Sequence, residues 1–235
     1  MIYFYVFFGV TILLMCLVLL SFYLREKRRR RGLQAEANRL GLRYSYYDPF
    51  GIPAAYGHLN HFSEGINRYA FNVVRGRYEG CPVLAFDYSY AVDTPKRRRN
   101  QPPPSYILSL LILMLEARLP RLIVHPRAMA DKFPAIPGDF QDVPVDSAAF
   151  SAAYLVKSTH TDFARDFFHP AMVTYFVEHP ALSVEVHGNT LLVHLAEIMD
   201  PEELESQVRR LVEIRRLFPE HLFEVRQEAE LPEPL

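Results

Sequence analysis

The sequence predicts an α+β protein in which an N-terminal transmembrane helix precedes a mainly antiparallel β domain. Three patterns support this fold class: an uncharged run from Ile2 to Leu24, alternating β segments in the middle of the chain, and an amphipathic segment after Asp200. Of the 235 residues 50% are hydrophobic and 23% are charged, which excludes disorder, collagen and disulfide-rich scaffolds as the main class. The expected regions are an anchor (1–24), a basic stem with a short helix (25–43), a soluble domain (44–222) and an acidic tail (223–235).

The run from Ile2 to Leu24 is long enough to cross a membrane. As a helix it would extend about 34 Å, against a hydrocarbon core of roughly 30 Å. Fifteen of its residues are Leu, Ile, Phe or Val, which together favour insertion by about 5 to 9 kcal/mol. A cleaved signal peptide would begin with a positively charged region, and no Lys or Arg precedes this run. The pattern therefore predicts a retained anchor.

A cluster of basic residues follows the span and predicts its direction. Arg25 and the run from Lys27 to Arg31 come directly after Leu24, and flanking Lys and Arg are retained on the cytoplasmic side. The stem has eight basic and two acidic residues, a net +6, so the rest must carry −7 to give the formal net charge of −1. We interpret the cluster as a topology signal rather than a nuclear or nucleic-acid signal. Cys16 in the span and Cys81 in the domain cannot pair, in agreement with a reducing compartment.

Two adjacent β segments predict the first hairpin. Phe71 to Tyr78 and Pro82 to Val92 flank a Glu79-Gly80 turn. Alignment across this turn places pairs of residues opposite each other: Val73 and Phe86, Phe71 and Tyr88, Val74 and Ala85, and Asn72 and Asp87. Before the hairpin, Tyr44 to Gly65 is punctuated by Gly and Pro and predicts an irregular loop.

The second half of the domain predicts further strands and an inserted helical pair. Tyr106 to Leu115 and Leu122 to Val124 favour two buried strands, with a helix left open for the first. Phe150 to Val156 predicts another strand, and Thr161 to Glu178 a helix broken at Pro170. Alternation around Gly188-Asn189 predicts a hairpin that pairs Val186 with Leu191. Finally Asp200, Pro201 and Glu203 form a capping box that opens an amphipathic helix, whose buried stripe would be Leu204, Val208, Leu211, Val212 and Leu217.

These elements give about seven strands and a closing C-terminal helix, and one arrangement with that order is a pleckstrin-homology fold. The run Asn72-Val73-Val74-x-Gly76-x-x-x-Gly80-x-Pro82-Val83-x-x-Phe86-Asp87-Tyr88-x-Tyr90 resembles a family of bacterial membrane-anchored proteins of unknown function. The similarity extends over most of residues 66 to 222 and implies a bacterial membrane-anchored protein. Together with the basic cluster after the span, this predicts placement in the inner membrane with the N terminus outside. It implies no activity and no binding residues.

The sequence holds few candidates for chemistry. It lacks GxxxxGK[ST], GxGxxG, GxSxG, HExxH and CxxC motifs, which lowers the expectation of an enzyme, and we expect no cofactor and no bound metal. His58 and His61 are close in sequence but lack a third ligand at convincing spacing, so a surface location is the favoured interpretation. Asp87 is the weak catalytic candidate because a carboxylate among apolar residues can have a raised pKa. A structural hydrogen bond to Asn72 or to a loop backbone is favoured over that role.

The leading hypothesis is a cytoplasmic, membrane-anchored binding or scaffold module for a protein partner or an anionic lipid headgroup. The alternative is a membrane-tethered hydrolase that uses Asp87 and a histidine. We rank anionic lipid above nucleic acid because the anchor already holds the domain near a bilayer. The basic residues that could contact lipid phosphates are Arg28, Arg29, Arg30, Arg31, Lys96, Arg97, Arg98 and Arg99.

Overall fold

One long helix leads from the N terminus into the domain. In the computed structural model, which describes residues 2–92, 102–195 and 197–224, helix α1 covers Ile2–Arg39 without a break. The part before Arg25 is exposed, whereas Leu33 and Ala37 are buried in the domain core. The helix ends at Arg39 and is followed by Gly41, which adopts a φ of 70° that is easy only for glycine. The stem is therefore the second half of one helix and part of the domain.

The domain is built on a seven-stranded antiparallel sheet with the order β1-β2-β3-β4-β6-β5, and β7 also pairs with β4. The α+β fold class is confirmed, whereas the pleckstrin-homology arrangement is not. The strands are β1 (Arg43–Tyr47), β2 (Ile66–Tyr78), β3 (Cys81–Ala91), β4 (Ser105–Pro126), β5 (Gln141–Asp142), β6 (Tyr154–Ser158) and β7 (Ser183–His194).

Helices cover both faces of this sheet. Those after α1 are α2 (Ile52–Ala55), α3 (Ala148–Ala153), α4 (Thr161–Phe167), α5 (Pro170–Glu178), α6 (Leu204–Arg216) and α7 (His221–Glu224), with 3-10 turns at Asn60–Phe62, Arg127–Lys132 and Pro201–Glu203. The break at Pro170 and the capping box at Asp200 are confirmed. The larger core cluster includes α1, α3, α4, α5 and α6, and the smaller one lies under α2 and the first 3-10 turn.

Strand β4 corrects the prediction of two short strands. Its 22 residues form a single strand, so a strand rather than a helix is confirmed. The first half pairs with β3, the second half pairs with β6, and β7 pairs along both halves. A β4 segment with irregular register, between Met114 and Leu119, separates the two halves. A single strand, β4, therefore contains both segments that the sequence predicts as separate strands.

The predicted hairpin at Gly188-Asn189 is wrong, because β7 continues through both residues. Val186 pairs with Leu122 and Leu191 pairs with Leu113, both on β4. Gly188 has a φ of 57°, and this irregularity shifts the alternation so that Val186 and Leu191 pack in the same core cluster. The alternation that predicted a hairpin is thus produced by a bulge within β7, which pairs with β4.

Three further predictions need correction. The segment from Tyr44 to Gly65 contains β1, α2 and a 3-10 turn instead of being irregular throughout. The predicted strand from Phe150 begins as helix α3, where the Ser147 hydroxyl accepts a hydrogen bond from the Phe150 N–H at 3.3 Å, and the strand starts only at Tyr154. In the first hairpin Val74 lies opposite Ala85 as predicted, but Phe71 pairs with Asp87 instead of Tyr88. Asn72, at a φ of 51°, forms a bulge that moves the register.

Candidate functional site

Asp87 lies at the junction between the anchor helix and the sheet, and its carboxylate is fully engaged. Arg29 donates from Nη1 to Oδ2 at 2.6 Å and from Nη2 to Oδ1 at 3.0 Å. Asn72 Nδ2 donates to Oδ2 at 2.8 Å, and Ser109 Oγ donates to Oδ1 at 2.7 Å. The Asp87 side chain is 2% exposed. Each carboxylate oxygen accepts two hydrogen bonds, as a buried charge requires.

The local folds of three strands and one loop bring these groups together. Asp87 pairs with Phe71 on β2 and with Ser109 on β4, while the Asn72 bulge directs its amide onto the same carboxylate. The Ser109 hydroxyl also accepts a hydrogen bond from the Met199 N–H at 2.9 Å, and the Met199 carbonyl accepts from Arg29 Nη2 at 2.8 Å. The junction therefore ties α1 to the sheet and to the loop before α6.

This geometry gives Asp87 a structural role. A general acid or base must reach a proton on a substrate, whereas both oxygens of Asp87 are already occupied by donors from Arg29, Asn72 and Ser109. No histidine is among the hydrogen-bond partners that the described residues supply to it. The hydrogen bond to Asn72 that the sequence favours is present. The hydrolase alternative gains no support from this site.

The basic residues of the stem divide into those that contact the domain or neighbouring side chains and those that are exposed. Arg29, predicted to contact lipid, instead points its guanidinium at Asp87. Arg30 donates to Glu26 and Tyr46, and its guanidinium lies 3.7 Å above the Tyr46 ring. Arg28 and Arg31 are exposed and remain accessible to headgroups. The predicted lipid contacts at Lys96, Arg97, Arg98 and Arg99 lie outside the described residues.

A second polar cluster is buried beneath the 3-10 turn at Asn60–Phe62. Glu185 on β7 accepts hydrogen bonds from the Asn60 N–H at 2.5 Å and the His61 N–H at 3.2 Å. His61 and His194 have ring centroids 4.8 Å apart, and both are buried. His125 is also buried, and its Nδ1 lies 2.9 Å from the Ser183 hydroxyl. Sequence reasoning missed this cluster, because its members are distant along the chain.

Burial changes the protonation of the cluster. Loss of hydration lowers the pKa of His61 well below its usual range, with the positive charges of His194 and His125 adding to the effect. The same burial lowers the pKa of His125 to about 4 and raises the pKa of Glu185 to about 7. The surface location predicted for histidines applies to His58 but is wrong for His61. Among the described residues, no group of three or more His, Cys, Asp or Glu side chains could hold a metal ion.

A cleft of about 620 Å³ opens where α1 terminates, beside the start of β1 and the end of β2. Arg43, Arg75 and Arg77 line it together with Phe50 and Tyr56. The Arg75 guanidinium lies 4.5 Å above the Phe50 ring, which leaves the wall both basic and aromatic. These features lie at the sheet end opposite the anchor.

Comparisons with known proteins show the fold. No protein-family model and no curated protein matches the chain. The chain is similar to the crystal structure of the mycobacterial trehalose monomycolate transport factor A, TtfA, with a TM-score of 0.59 and 18% sequence identity. The match covers 82% of this chain and 95% of that chain. At this identity the likeness shows a shared fold alone. Helix α1 is the one helix of the described residues that is long and apolar enough to cross a membrane. The chain therefore combines an α+β fold with a candidate membrane anchor.

Proposed function

We propose that this chain is a single-pass accessory protein of a bacterial inner membrane, whose α+β domain serves on the cytoplasmic side as a non-catalytic scaffold for a protein partner. One observation carries the proposal: α1 continues from the apolar span into the domain core and is fixed there by Arg29 and Asp87. Arg29 is five positions after Leu24, which is about 7 Å of helix. The domain is thereby held against the bilayer in one orientation.

The similarity to TtfA supports an accessory role. That protein is described as a transport factor, and a comparable role for this chain agrees with the single span among its described residues. A lone helix satisfies its own backbone hydrogen bonds but encloses no pathway across the bilayer. A chain of this architecture would act on a membrane process through another protein.

The exposed basic residues support the cytoplasmic placement of the domain. Arg25, Lys27, Arg28 and Arg31 lie exposed on α1 directly after the span, where positive charge favours retention on the cytoplasmic side. The two cysteines are unpaired, in agreement with a reducing compartment.

Reporter fusions at the C terminus test the orientation. A green fluorescent protein fused after Leu235 should be fluorescent, and alkaline phosphatase fused at the same point should be inactive, because the first folds in the cytoplasm and the second needs an oxidising compartment. Carbonate extraction should leave both fusions in the membrane fraction. Active alkaline phosphatase, or release by carbonate, would contradict the proposal.

Crosslinking distinguishes a protein partner from a lipid headgroup, the second candidate. A photoreactive amino acid placed at Phe50, which is 47% exposed on the domain, samples the molecules that contact the domain. A scaffold for a membrane protein should give a discrete protein adduct in intact membranes. Adducts with lipid alone would overturn the protein partner and leave the lipid as the ligand.

A further inference from the structure

Exposed apolar side chains are concentrated at one end of the domain. After the span, eight large hydrophobic residues among the described ones are exposed, and Phe50 and Val177 lie elsewhere. The other six lie on or next to the sheet end where the β3–β4 connection begins, and three of them are tyrosines. We call these six the membrane-proximal rim: Tyr47, Ile66, Tyr69, Tyr106, Ile107 and Ile198.

The strand register places this end beside the membrane span. Strand β1 starts just after α1 ends and runs back along it, so that Tyr46 meets Arg30. Tyr47 then pairs with Phe71, which pairs with Asp87, and Asp87 binds Arg29. Tyr47 therefore lies level with Arg29, and the strands continue from there towards the bilayer.

The next row of the sheet is level with the end of the span. Tyr69 and Ile107 both pair with Ser89, two residues beyond Asp87 on β3, which is about 7 Å along the strand. Leu24 lies about 7 Å from Arg29 along the helix. Because Ser89 shares the face of Asp87, Tyr69 and Ile107 lie on the sheet face that α1 crosses.

The remaining members extend the rim on both sides. Ile66 pairs with Ala91, two residues beyond Ser89. Tyr106 pairs with Tyr90, one residue beyond Ser89 and therefore on the opposite face of the sheet. The rings of Tyr90 and Tyr106 are stacked with centroids 5.5 Å apart. Ile198 precedes Met199, whose carbonyl accepts the hydrogen bond from Arg29. The rim is thus continuous with the surface of α1 where that helix leaves the membrane.

The composition of the rim matches the headgroup layer of a bilayer. Tyrosine concentrates at membrane interfaces because its ring is apolar and its hydroxyl is hydrated, and aliphatic side chains can enter the acyl boundary. Arg25, Lys27 and Arg28 are exposed at the same level of α1 and would attract anionic headgroups. We propose that the membrane-proximal rim is embedded in the headgroup layer of the leaflet from which α1 emerges, so that the sheet end is a second membrane contact.

This inference rests on the proposed anchoring and can be tested separately from it. The chain contains no tryptophan, so a single introduced one reports its own depth through quenching by lipids brominated near the headgroup end of their acyl chains. The full chain is reconstituted in vesicles of phosphatidylcholine and phosphatidylglycerol as Tyr69→Trp and Ile107→Trp. We expect fluorescence to fall by about half for each, since interfacial side chains lie roughly 5–10 Å into the headgroup and acyl boundary.

Two further variants provide controls. Phe50→Trp lies above Arg75, which pairs with Arg43 at the opposite end of the sheet, and should stay unquenched. Phe22→Trp lies in the span and should be quenched. Each variant must retain the cooperative unfolding of the natural chain, and either rim variant alone suffices if the other fails to fold.

The outcomes separate the two proposals. Rim variants as bright as Phe50→Trp, together with a quenched Phe22→Trp, would overturn the embedded rim and leave the anchor intact. Quenching of Phe50→Trp to the same extent as the rim variants would also overturn the rim, because the domain would then lie on another face. An unquenched Phe22→Trp would overturn both proposals.

Discussion

Arg29 and Asp87 form an ion pair whose geometry makes each partner depend on the other. Asp87 is 2% exposed and the Arg29 side chain is 15% exposed, so both charges have lost most of their hydration. Such a pair is stabilised when further hydrogen bonds reach its donors and acceptors. Asn72 and Ser109 complete the Asp87 carboxylate, and the Met199 carbonyl accepts from Arg29 Nη2, whereas Arg29 Nε is buried without a hydrogen-bond partner among the described residues. Removal of either partner leaves an uncompensated charge in the junction.

Asp87→Asn should lower the free energy of unfolding by about 3 kcal/mol, because it keeps the side-chain size but leaves the Arg29 charge unpaired. The measurement is urea unfolding of the full chain in detergent, followed by circular dichroism. Asp162→Asn is the matched control, since Asp162 is 92% exposed and pairs with Arg165 one turn away, and it should change stability little. Equal stability of Asp87→Asn and the natural chain would contradict the structural role.

The buried histidines predict a dependence of stability on pH. The folded pKa of His125 is about 4, below the value of roughly 6.5 expected in the unfolded chain. The unfolded chain therefore takes up the proton first, and stability falls as pH decreases from about 6.5 to 4. Glu185 affects stability in the opposite direction. Its pKa in the folded protein is about 7, above the unfolded value. Its contribution to stability is therefore complete below about pH 4.5 and is lost as the pH rises to 7.

His125→Gln should remove the part of the acid sensitivity that this residue causes. The stability difference between natural chain and variant should shrink between pH 7 and pH 4 by at most roughly 3 kcal/mol. Urea unfolding at a series of pH values gives this difference. His160→Gln, which removes an exposed imidazole, is the control, and a difference for His125→Gln that is constant with pH would exclude His125 as the source.

At the scale of elements, sequence patterns correctly predicted the features that depend on interactions between residues close together in the chain. The apolar span, the capping box at Asp200 and the helix break at Pro170 depend on neighbours within a few residues, and all three are present. The continuous strand β7 depends instead on pairing with β4, 60 or more positions away. A Gly188-Asn189 pair forms a turn or a bulge equally well, and only the distant partner decides between them.

For the same reason, the sequence predicts the contact between Asn72 and Asp87 in the junction but not the contribution of Arg29. Asn72 and Asp87 lie on adjacent strands joined by a short turn, so alignment of the two segments places them together. Arg29 is 58 positions from Asp87, and its sequence context is that of a topology signal. Nothing in a run of arginines marks the one that enters the domain, which becomes clear only when the helix phase is fixed by Leu33 and Ala37 in the core.

The packing of α1 on the domain requires a small residue at position 32. A Cβ atom on Gly32 would lie 2.9 Å from the Pro201 side chain, closer than atoms can pack. Gly32→Val should therefore push α1 away from the 3-10 turn and destabilise the domain by about 1 to 3 kcal/mol, measured by the same urea unfolding. Ala35→Val introduces the same side chain at an exposed position of α1 and should have a small effect. Equal effects of the two substitutions would show that α1 does not contact Pro201.

For the whole molecule, one helix acts as both membrane anchor and core element. Leu33 and Ala37 are buried in the same core cluster as α6 and the sheet, and Arg29 completes the junction. The sequence-based boundary at residue 44 therefore cuts through a packed unit. A membrane anchor attached through a flexible linker would let the domain turn freely, whereas this helix transmits the orientation of the span to the sheet.

A series of shortened chains tests this dual role. A chain that begins at Arg25 keeps every core contact of α1 and should unfold cooperatively in urea. A chain that begins at Gly32 lacks Arg29 and should lose about 3 kcal/mol of stability. A chain that begins at Tyr44 also loses the buried Leu33 and Ala37, which brings the loss to about 5 kcal/mol or more. Because whole domains are stable by only about 5 to 15 kcal/mol, that chain should be largely unfolded by circular dichroism. Equal stability of all three chains would show that α1 is an anchor alone.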